Sequence, residues 1–207
     1  MKRIFLILLA IIGLALPQVN AGEIDRIKDK GEIVVAVNKG YPPFCVVGKD
    51  DIIGLDVDLA KLIADHLGVK VKFIMPDLYK DQIPKLLVGE SDIIIAAMTR
   101  TVDRGLQVAF TEPYFEVSQA ALVERDMVTP MANSYFDLVD VPGIRIGVKA
   151  NTTIENFARE LFPAEAIKSF PDHPEAIAAL VKGEVDATVH DSPFVQIWAQ
   201  THPDLSG

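Results

Sequence analysis

Residues 32–37, EIVVAV, and 92–96, DIIIA, carry apolar side chains at consecutive positions, so an extended segment there has no face to give to water. Strands of that kind belong inside a parallel sheet covered by helices, and parallel neighbours need crossover connections long enough to hold a helix. The intervening sequence supplies them. In LDVDLAKLIADHLG (55–68) the residues Leu55, Leu59, Leu62, Ile63 and Leu67 follow a 3.6-residue period, with Asp56 placed to cap the start and Gly68 to close the end. VKVKFI (69–74), a helix near 80–88 and the strand 92–96 continue the alternation. After EPYFEVSQAALV (112–123) it restarts: GIRIGV (143–148), a helix from Thr152 with Glu155 completing a capping box, AIKSF (166–170), a helix opened by Pro174, DATVH (186–190), and a helix capped by Ser192 with Pro193 in its first turn. The expected fold is α/β in two lobes, each a mostly parallel sheet flanked by helices.

A short internal repeat supports the division. LLVGESDIIIAAMT (86–99) and LVKGEVDATVHDS (180–192) share Leu-x-x-Gly-Glu-x-Asp, and each leads through an apolar strand to a polar tip. In open α/β sheets ligands bind beyond the carboxyl ends of the strands, where both tips lie.

The N-terminus reads as an export signal: Lys2 and Arg3, an apolar stretch from Ile4 to Leu16, then Val19 and Ala21 as the small residues before a cut after Ala21. No cysteine directly follows that cut, and no later segment approaches the ~20 apolar residues of a membrane-spanning helix. Without the signal, 18 Lys and Arg stand against 29 Asp and Glu, and there is no basic tract. That balance argues against nucleic acid or an anionic membrane as partner and favours a small polar solute. Cys45, the single cysteine, has no partner for an intrachain disulfide, so the core alone must stabilise the chain.

The first polar tip, AAMTRTVDR (96–104), admits two readings. Thr101 can cap a short helix with Asp103 in its first turn and Arg104 solvated; alternatively Thr99, Thr101 and Arg104 form an anion site of hydroxyls, backbone N–H groups and a guanidinium fork. At the second tip Ser192 and Pro193 serve the helix start, which leaves Asp191 for another role. Lys149, between a strand and the Thr152 helix, either reaches a ligand side chain or points to water. His190 has no His or Cys partner at ligand spacing, so neither a metal site nor a cofactor is implied.

GLDVDLAKLIA, MTRTVDR followed by VAFTEPYF, and VDATVHDSP together resemble the extracytoplasmic solute-binding proteins of ABC transporters, specifically the polar amino-acid class with the type II periplasmic-binding-protein fold. The resemblance runs from Ile24 to about Pro203. It implies a signal peptide at 1–21, a first lobe at 22–113, a hinge or crossover strand at 114–124 and a second lobe at 125–207, with the ligand cleft between the lobes. The family continues with a second crossover strand and a closing helix after the position where this sequence ends, so the expected fold lacks the C-terminal return to the first lobe. The implied activity is non-enzymatic: a periplasmic monomer that binds a free amino acid and delivers it to a membrane permease. By the same resemblance Ala97 offers its carbonyl to the α-ammonium, Thr99 its hydroxyl and N–H and Arg104 its fork to the α-carboxylate. Asp191 takes the ammonium, Thr153 adds N–H donors to the carboxylate, and Tyr41 and Tyr79 sandwich the ligand. Asn38 stands where binders of cationic amino acids tend to carry an acid, which together with Lys149 points to glutamine, glutamate or aspartate. Two alternatives share the fold: a cyclohexadienyl or arogenate-type dehydratase, for which the sequence offers no placed general acid, and the sensor lobe of a receptor.

Overall fold

The computed structural model describes residues 22–123 and 134–202; the expected signal peptide lies outside them. The chain opens with α1 (Glu23–Lys30) and β1 (Glu32–Ala36), followed by a small antiparallel pair, β2 (Val46–Val47) and β3 (Ile52–Ile53). Then come α2 (Leu55–Leu67), β4 (Lys70–Ile74), a 3-10 turn (Tyr79–Asp81) that runs into α3 (Gln82–Leu87), β5 (Ile93–Ile94) and the one-turn helix α4 (Val102–Gly105). The first sheet is parallel throughout in the order β4-β1-β5. Its central strand is β1, and Ile33, Val34, Val35 and Ala36 are all buried, as apolarity on both faces requires.

The second sheet has the order β6-β9-β7-β8 and is built from β6 (Gln119–Val123), β7 (Ile146–Lys149), β8 (Ile167–Phe170) and β9 (Ala187–Asp191). Only β6 runs antiparallel, against β9. The helices α5 (Thr153–Leu161), α6 (His173–Val181) and α7 (Ser192–Thr201) complete this lobe. Ile33, Val35, Val37, Val57, Ala60 and Ile95 form one core; Ile146, Val148, Ile154, Ala158, Ala187 and Val189 form another. A third apolar cluster joins the lobes by packing Tyr41 and Phe44 against Ile177 and Phe194.

The sequence repeat has a structural meaning. In both copies a helix ends in a left-handed glycine, Gly89 with φ 76° and Gly183 with φ 70°, a region glycine enters without a Cβ penalty. The following aspartate then clasps the neighbouring strand. Asp92 N–H donates to the Val34 carbonyl (2.8 Å) while its carboxylate accepts from Val34 N–H (2.7 Å) and from Arg26. Asp186 N–H donates to the Arg145 carbonyl (2.8 Å) while its carboxylate accepts from Arg145 N–H (2.8 Å) and the guanidinium (2.6 and 2.9 Å). Each clasp fixes the register of the strand whose far end carries a polar tip.

Four local expectations are corrected. Helix α2 is capped not by Asp56 but by backbone: Leu55 N–H donates to the Pro43 carbonyl (3.0 Å) and Asp56 N–H to the Phe44 carbonyl (2.9 Å), which frees the Asp56 side chain to turn inward. The face that α2 buries is Asp56, Val57, Ala60 and Ala64, while Leu62 is 66% exposed. Leu59 and Ile63 instead line an apolar groove of about 400 Å³ beside β5. At α5 the Thr152 hydroxyl accepts from Glu155 N–H (3.2 Å) as expected, but the Glu155 carboxylate reaches one residue further back, to Asn151 N–H (2.7 Å). At α7 the cap position is Asp191 rather than Ser192, and its side chain makes no cap bond.

Gly54, at the start of α2, has φ 131°, and a Cβ there would lie 2.7 Å from the Pro43 carbonyl oxygen and collide with that of Phe44. Both carbonyls are fixed by the helix start they cap. Gly54→Ala is therefore expected to destabilise the chain by roughly 2–4 kcal/mol in urea unfolding. Gly183→Ala, with open space around its left-handed backbone, should cost only about 1–2 kcal/mol; equal losses would refute the role given to the Pro43–Phe44 carbonyls.

Candidate functional site

The connections that follow β1, β4 and β5 in one lobe meet those that follow β7, β8 and β9 in the other, as parallel topology directs. From the first lobe come Asn38, Tyr41, Tyr79, Ala97 and Thr99; from the second, Lys149, Thr152, Thr153, Ile154, His173 and Asp191. They enclose a cavity of about 30 Å³, room for a water or two. Of the nine residues expected at the site, all but Arg104 line this space. Two larger grooves, of about 400 and 480 Å³, flank residues 108–117; the first is walled mainly by apolar side chains, and the second shares Ala97, Thr99 and Asp191 with the cavity and adds Arg100, Thr111, Glu112 and Glu116.

Three pairs of polar groups meet across the cavity, one member of each pair from either lobe. The Tyr41 phenol donates to the Asp191 carboxylate. Burial, reinforced by Asp191, raises the Tyr41 pKa far above the ordinary phenol, so it remains a donor. Burial also raises the Asp191 carboxyl, with the Tyr41 bond opposing. The Thr99 and Thr153 hydroxyls lie 3.3 Å apart. Lys149 is 6% exposed, and its Nζ donates to Asn38 Oδ1 at 3.3 Å and sits 5.3 Å from the centre of the Tyr79 ring. Burial lowers its pKa, with Asp172 pulling the other way. Among the described residues neither Lys149 nor Asp191 has an ion-pair partner within 4 Å.

Arg104 stands just behind this wall. Its Nη1 donates to the Thr99 carbonyl (2.8 Å) and its guanidinium lies 5.6 Å from the centre of the Tyr79 ring, so Tyr79 meets two cations. Burial pushes the Tyr79 phenol up to about 12, with Arg104 opposing. Of the two readings of the first tip, the helix cap is observed directly. Thr101 caps α4 by accepting from Arg104 N–H (3.3 Å), and the guanidinium turns toward the cleft side, onto the Thr99 backbone.

Two features escaped the sequence. Ala97 adopts φ 47°, a left-handed conformation unfavourable for alanine, and its N–H donates to Tyr114 Oη (3.0 Å), which donates in turn to Asp56 Oδ1 (2.8 Å). Asp56 is fully buried, and its second oxygen has no partner. The other is His173 in FPDHPEA, overlooked beside the helix-opening Pro174, although its place just after a parallel strand was itself a signal. It is 3% exposed, its ring stacks on Tyr41 at 4.7 Å, and its Nδ1 lies 2.7 Å from Nδ1 of the fully buried His190. Among the described residues no three His, Cys, Asp or Glu side chains converge as a metal site, and no helix is long and apolar enough to cross a membrane.

The sequence signature of the bacterial extracellular solute-binding proteins, family 3, matches residues 33–184. The chain is similar to the ABC transporter arginine-binding protein 1 of Escherichia coli K12, with 30% identity over 175 residues, 84% of this chain and 69% of that protein. It is similar as well to the cyclohexadienyl dehydratase of Pseudomonas aeruginosa, with 26% identity over 205 residues, 95% of this chain and 73% of that one. Among solved structures, an ancestral amino acid-binding protein described as a precursor of cyclohexadienyl dehydratase superposes with a TM-score of 0.81 at 35% identity, covering 87% of this chain and 79% of the other. The arginine-bound form of truncated ArgBP from T. maritima gives 0.78 at 34%, covering 87% and 82%. These likenesses establish the type II periplasmic-binding-protein fold.

The Asp56 carboxyl is pushed up to about 6 by burial, with Tyr114 and Ala97 holding it down. Between about pH 4 and 6 the folded chain keeps a proton that the unfolded chain has released, so stability falls as pH rises through that window and is level above it. Asp56→Asn imitates the protonated form and still accepts from Tyr114. Its melting temperature is expected to exceed the parent's by a few degrees at pH 7.5 and to converge on it below about pH 4; a constant offset at both would exclude ionisation of Asp56 as the cause.

Proposed function

The chain belongs to the bacterial extracellular solute-binding proteins, family 3, and on that premise we propose that it holds a free amino acid in the cleft between its lobes and delivers it to an ABC transporter permease. In this reading it works as a periplasmic monomer, exported by residues 1–21. The observation that carries the proposal is a pair of opposite charges, Lys149 and Asp191, which line one cavity without pairing with each other. Charges buried apart cost free energy unless something of opposite sign meets each, and a zwitterion with a polar side chain does so. Asp191 takes the ammonium. Thr99, the N–H groups at the start of α5 around Thr153, and Arg104 receive the carboxylate. Tyr41 and Tyr79 supply flat apolar walls, and Lys149 and Asn38 face the ligand side chain. The cavity is smaller than an amino acid, so entry requires the lobes to part and the Tyr41–Asp191 and Thr99–Thr153 contacts to be exchanged for contacts with the ligand.

We assign no catalysis to this cleft. A dehydratase of this fold needs a general acid that holds a transferable proton at working pH. His173 is the imidazole in position, but burial, then His190 and Lys149, hold its pKa well below the ordinary value, leaving it neutral. Incubation with prephenate or arogenate is expected to yield no phenylpyruvate or phenylalanine beyond the uncatalysed background, and product formation abolished by Asp191→Ala would establish the enzymatic alternative.

A thermal-shift screen of the twenty amino acids should reveal the ligand, since about 100 times its dissociation constant adds about 2.7 kcal/mol. Asp191→Ala is then expected to weaken binding by roughly 2–5 kcal/mol. A desamino analogue of that amino acid should bind the parent poorly and lose much less on Asp191→Ala, because the carboxylate is no longer left facing no cation. Calorimetry on both proteins with both compounds completes the cycle; equal affinity of the parent for analogue and amino acid would remove Asp191 as the ammonium ligand.

A further inference from the structure

His173 and His190 face each other Nδ1 to Nδ1 at 2.7 Å, and His190 Nε2 lies 3.0 Å from the hydroxyl of Thr188. All three residues are buried and no carboxylate of the described residues pairs with either ring, so both imidazoles are neutral; burial takes His190 down to about 3. Two neutral rings that share one Nδ1···Nδ1 bond must be opposite tautomers, one donating and one accepting. A hydroxyl can do either, so two arrangements satisfy the buried side equally. In one, His190 Nε2–H donates to Thr188, His173 Nδ1–H donates to His190, and His173 Nε2 is a bare acceptor. In the other, Thr188 donates to His190 Nε2, His190 Nδ1–H donates to His173, and His173 carries Nε2–H. The only polar atom of His173 that the relay leaves uncommitted is Nε2, and His173 lines the cleft cavity.

We propose that His173 is a specificity-determining contact for the ligand side chain, which the Thr188–His190 relay allows to act as donor or acceptor without acquiring charge. Resting on the amino-acid reading, this narrows the ligand class to amino acids whose side chain ends in a carboxamide or carboxylate. A carboxylate only accepts, so it selects the Nε2–H form; a carboxamide fits either form by presenting its oxygen or its NH2. Lys149 in the same cavity attracts both and repels a guanidinium or ammonium. A charged imidazole would hold the carboxylate much more tightly than the carboxamide, so neutrality is what keeps the two classes comparable.

The test uses the full chain and the twenty amino acids. The tightest binders are expected among glutamate, glutamine, aspartate and asparagine. His173→Phe keeps the stack on Tyr41 and removes both nitrogens, and should weaken the best binder by about tenfold. Thr188→Val touches no atom of the cavity. It leaves His190 Nε2 without a partner, which penalises an N–H there more than a bare nitrogen, and so fixes His173 in the Nε2–H form. It should spare an acidic ligand and hold the tautomer constant. Nitrogen-15 spectra of histidine-labelled protein read the tautomers directly: the parent should show one Nδ1–H and one Nε2–H ring for the pair, with His173 becoming the Nε2–H ring on addition of glutamate or aspartate, whichever binds more tightly. A tightest binder with a cationic side chain, a change under twofold in His173→Phe, or two rings of like tautomer would each overturn the assignment. Binding by none of the twenty would fell the amino-acid reading and this inference with it, a result distinct from binding that ignores His173.

Discussion

Lys149 and Asp191 occupy one small cleft, close enough to share its walls, yet each is tied to a neutral partner from the other lobe, Asn38 and Tyr41. In a low-dielectric space two such charges gain much by meeting, and the framework prevents it. Lys149 is the last residue of β7 and Asp191 the last of β9, neighbouring parallel strands of the second sheet, so their separation is set by backbone hydrogen bonds rather than by flexible side chains. The aspartate clasps at Asp92 and Asp186 hold the registers of the strands that carry the tips. The site's electrostatics thus begin at the far ends of the sheets, in the Leu-x-x-Gly-Glu-x-Asp repeat.

The contacts between lobes have a consequence for motion. Tyr41–Asp191, Thr99–Thr153 and Asn38–Lys149 each join one lobe to the other, and Tyr41 also stacks on His173 and on Phe194. These are the groups that a zwitterion would engage. Ligand and opposite lobe therefore compete for the same donors and acceptors, and binding energy is the difference between two sets of similar contacts. Such an exchange leaves affinity sensitive to small changes in geometry, since each of these cross-lobe groups is already engaged before the ligand arrives.

Much of this was legible in the sequence, for reasons that differ by element. Strand β1 was plain because apolarity on both faces has few other solutions, and Asp191, Thr99 and Lys149 stood out because they follow apolar strands. The face of α2 was misjudged because its periodic residues Leu59, Ile63 and Leu67 sit only partly buried at the margin of the core, while the small residues Ala60 and Ala64 are buried within it. Asp56 looked like a helix cap because capping is the common use of an aspartate there. Its actual contact, Tyr114, lies 58 residues away and no local pattern encodes it. His173 was hidden for a similar reason, since its partners come from different lobes, Tyr41 from the loop after β1 and His190 from β9.

Backbone strain in the described residues singles out the same region. The non-glycine residues with positive φ are Ala97 and Asn151, one in each lobe, each in the connection that follows a strand and leads into the cleft. Asparagine tolerates that conformation and Asn151 N–H is held by Glu155. Alanine does not, and its cost of order 1–3 kcal/mol persists because Tyr114 and Asp56 grip its N–H from behind. The buried, partly unsatisfied Asp56 carboxylate is a second cost borne at the same point. Both expenses serve one geometry, a peptide turned so that the first-lobe tip meets Thr153 and Asp191 across the cavity. A sheet that needed only to fold would have no use for either.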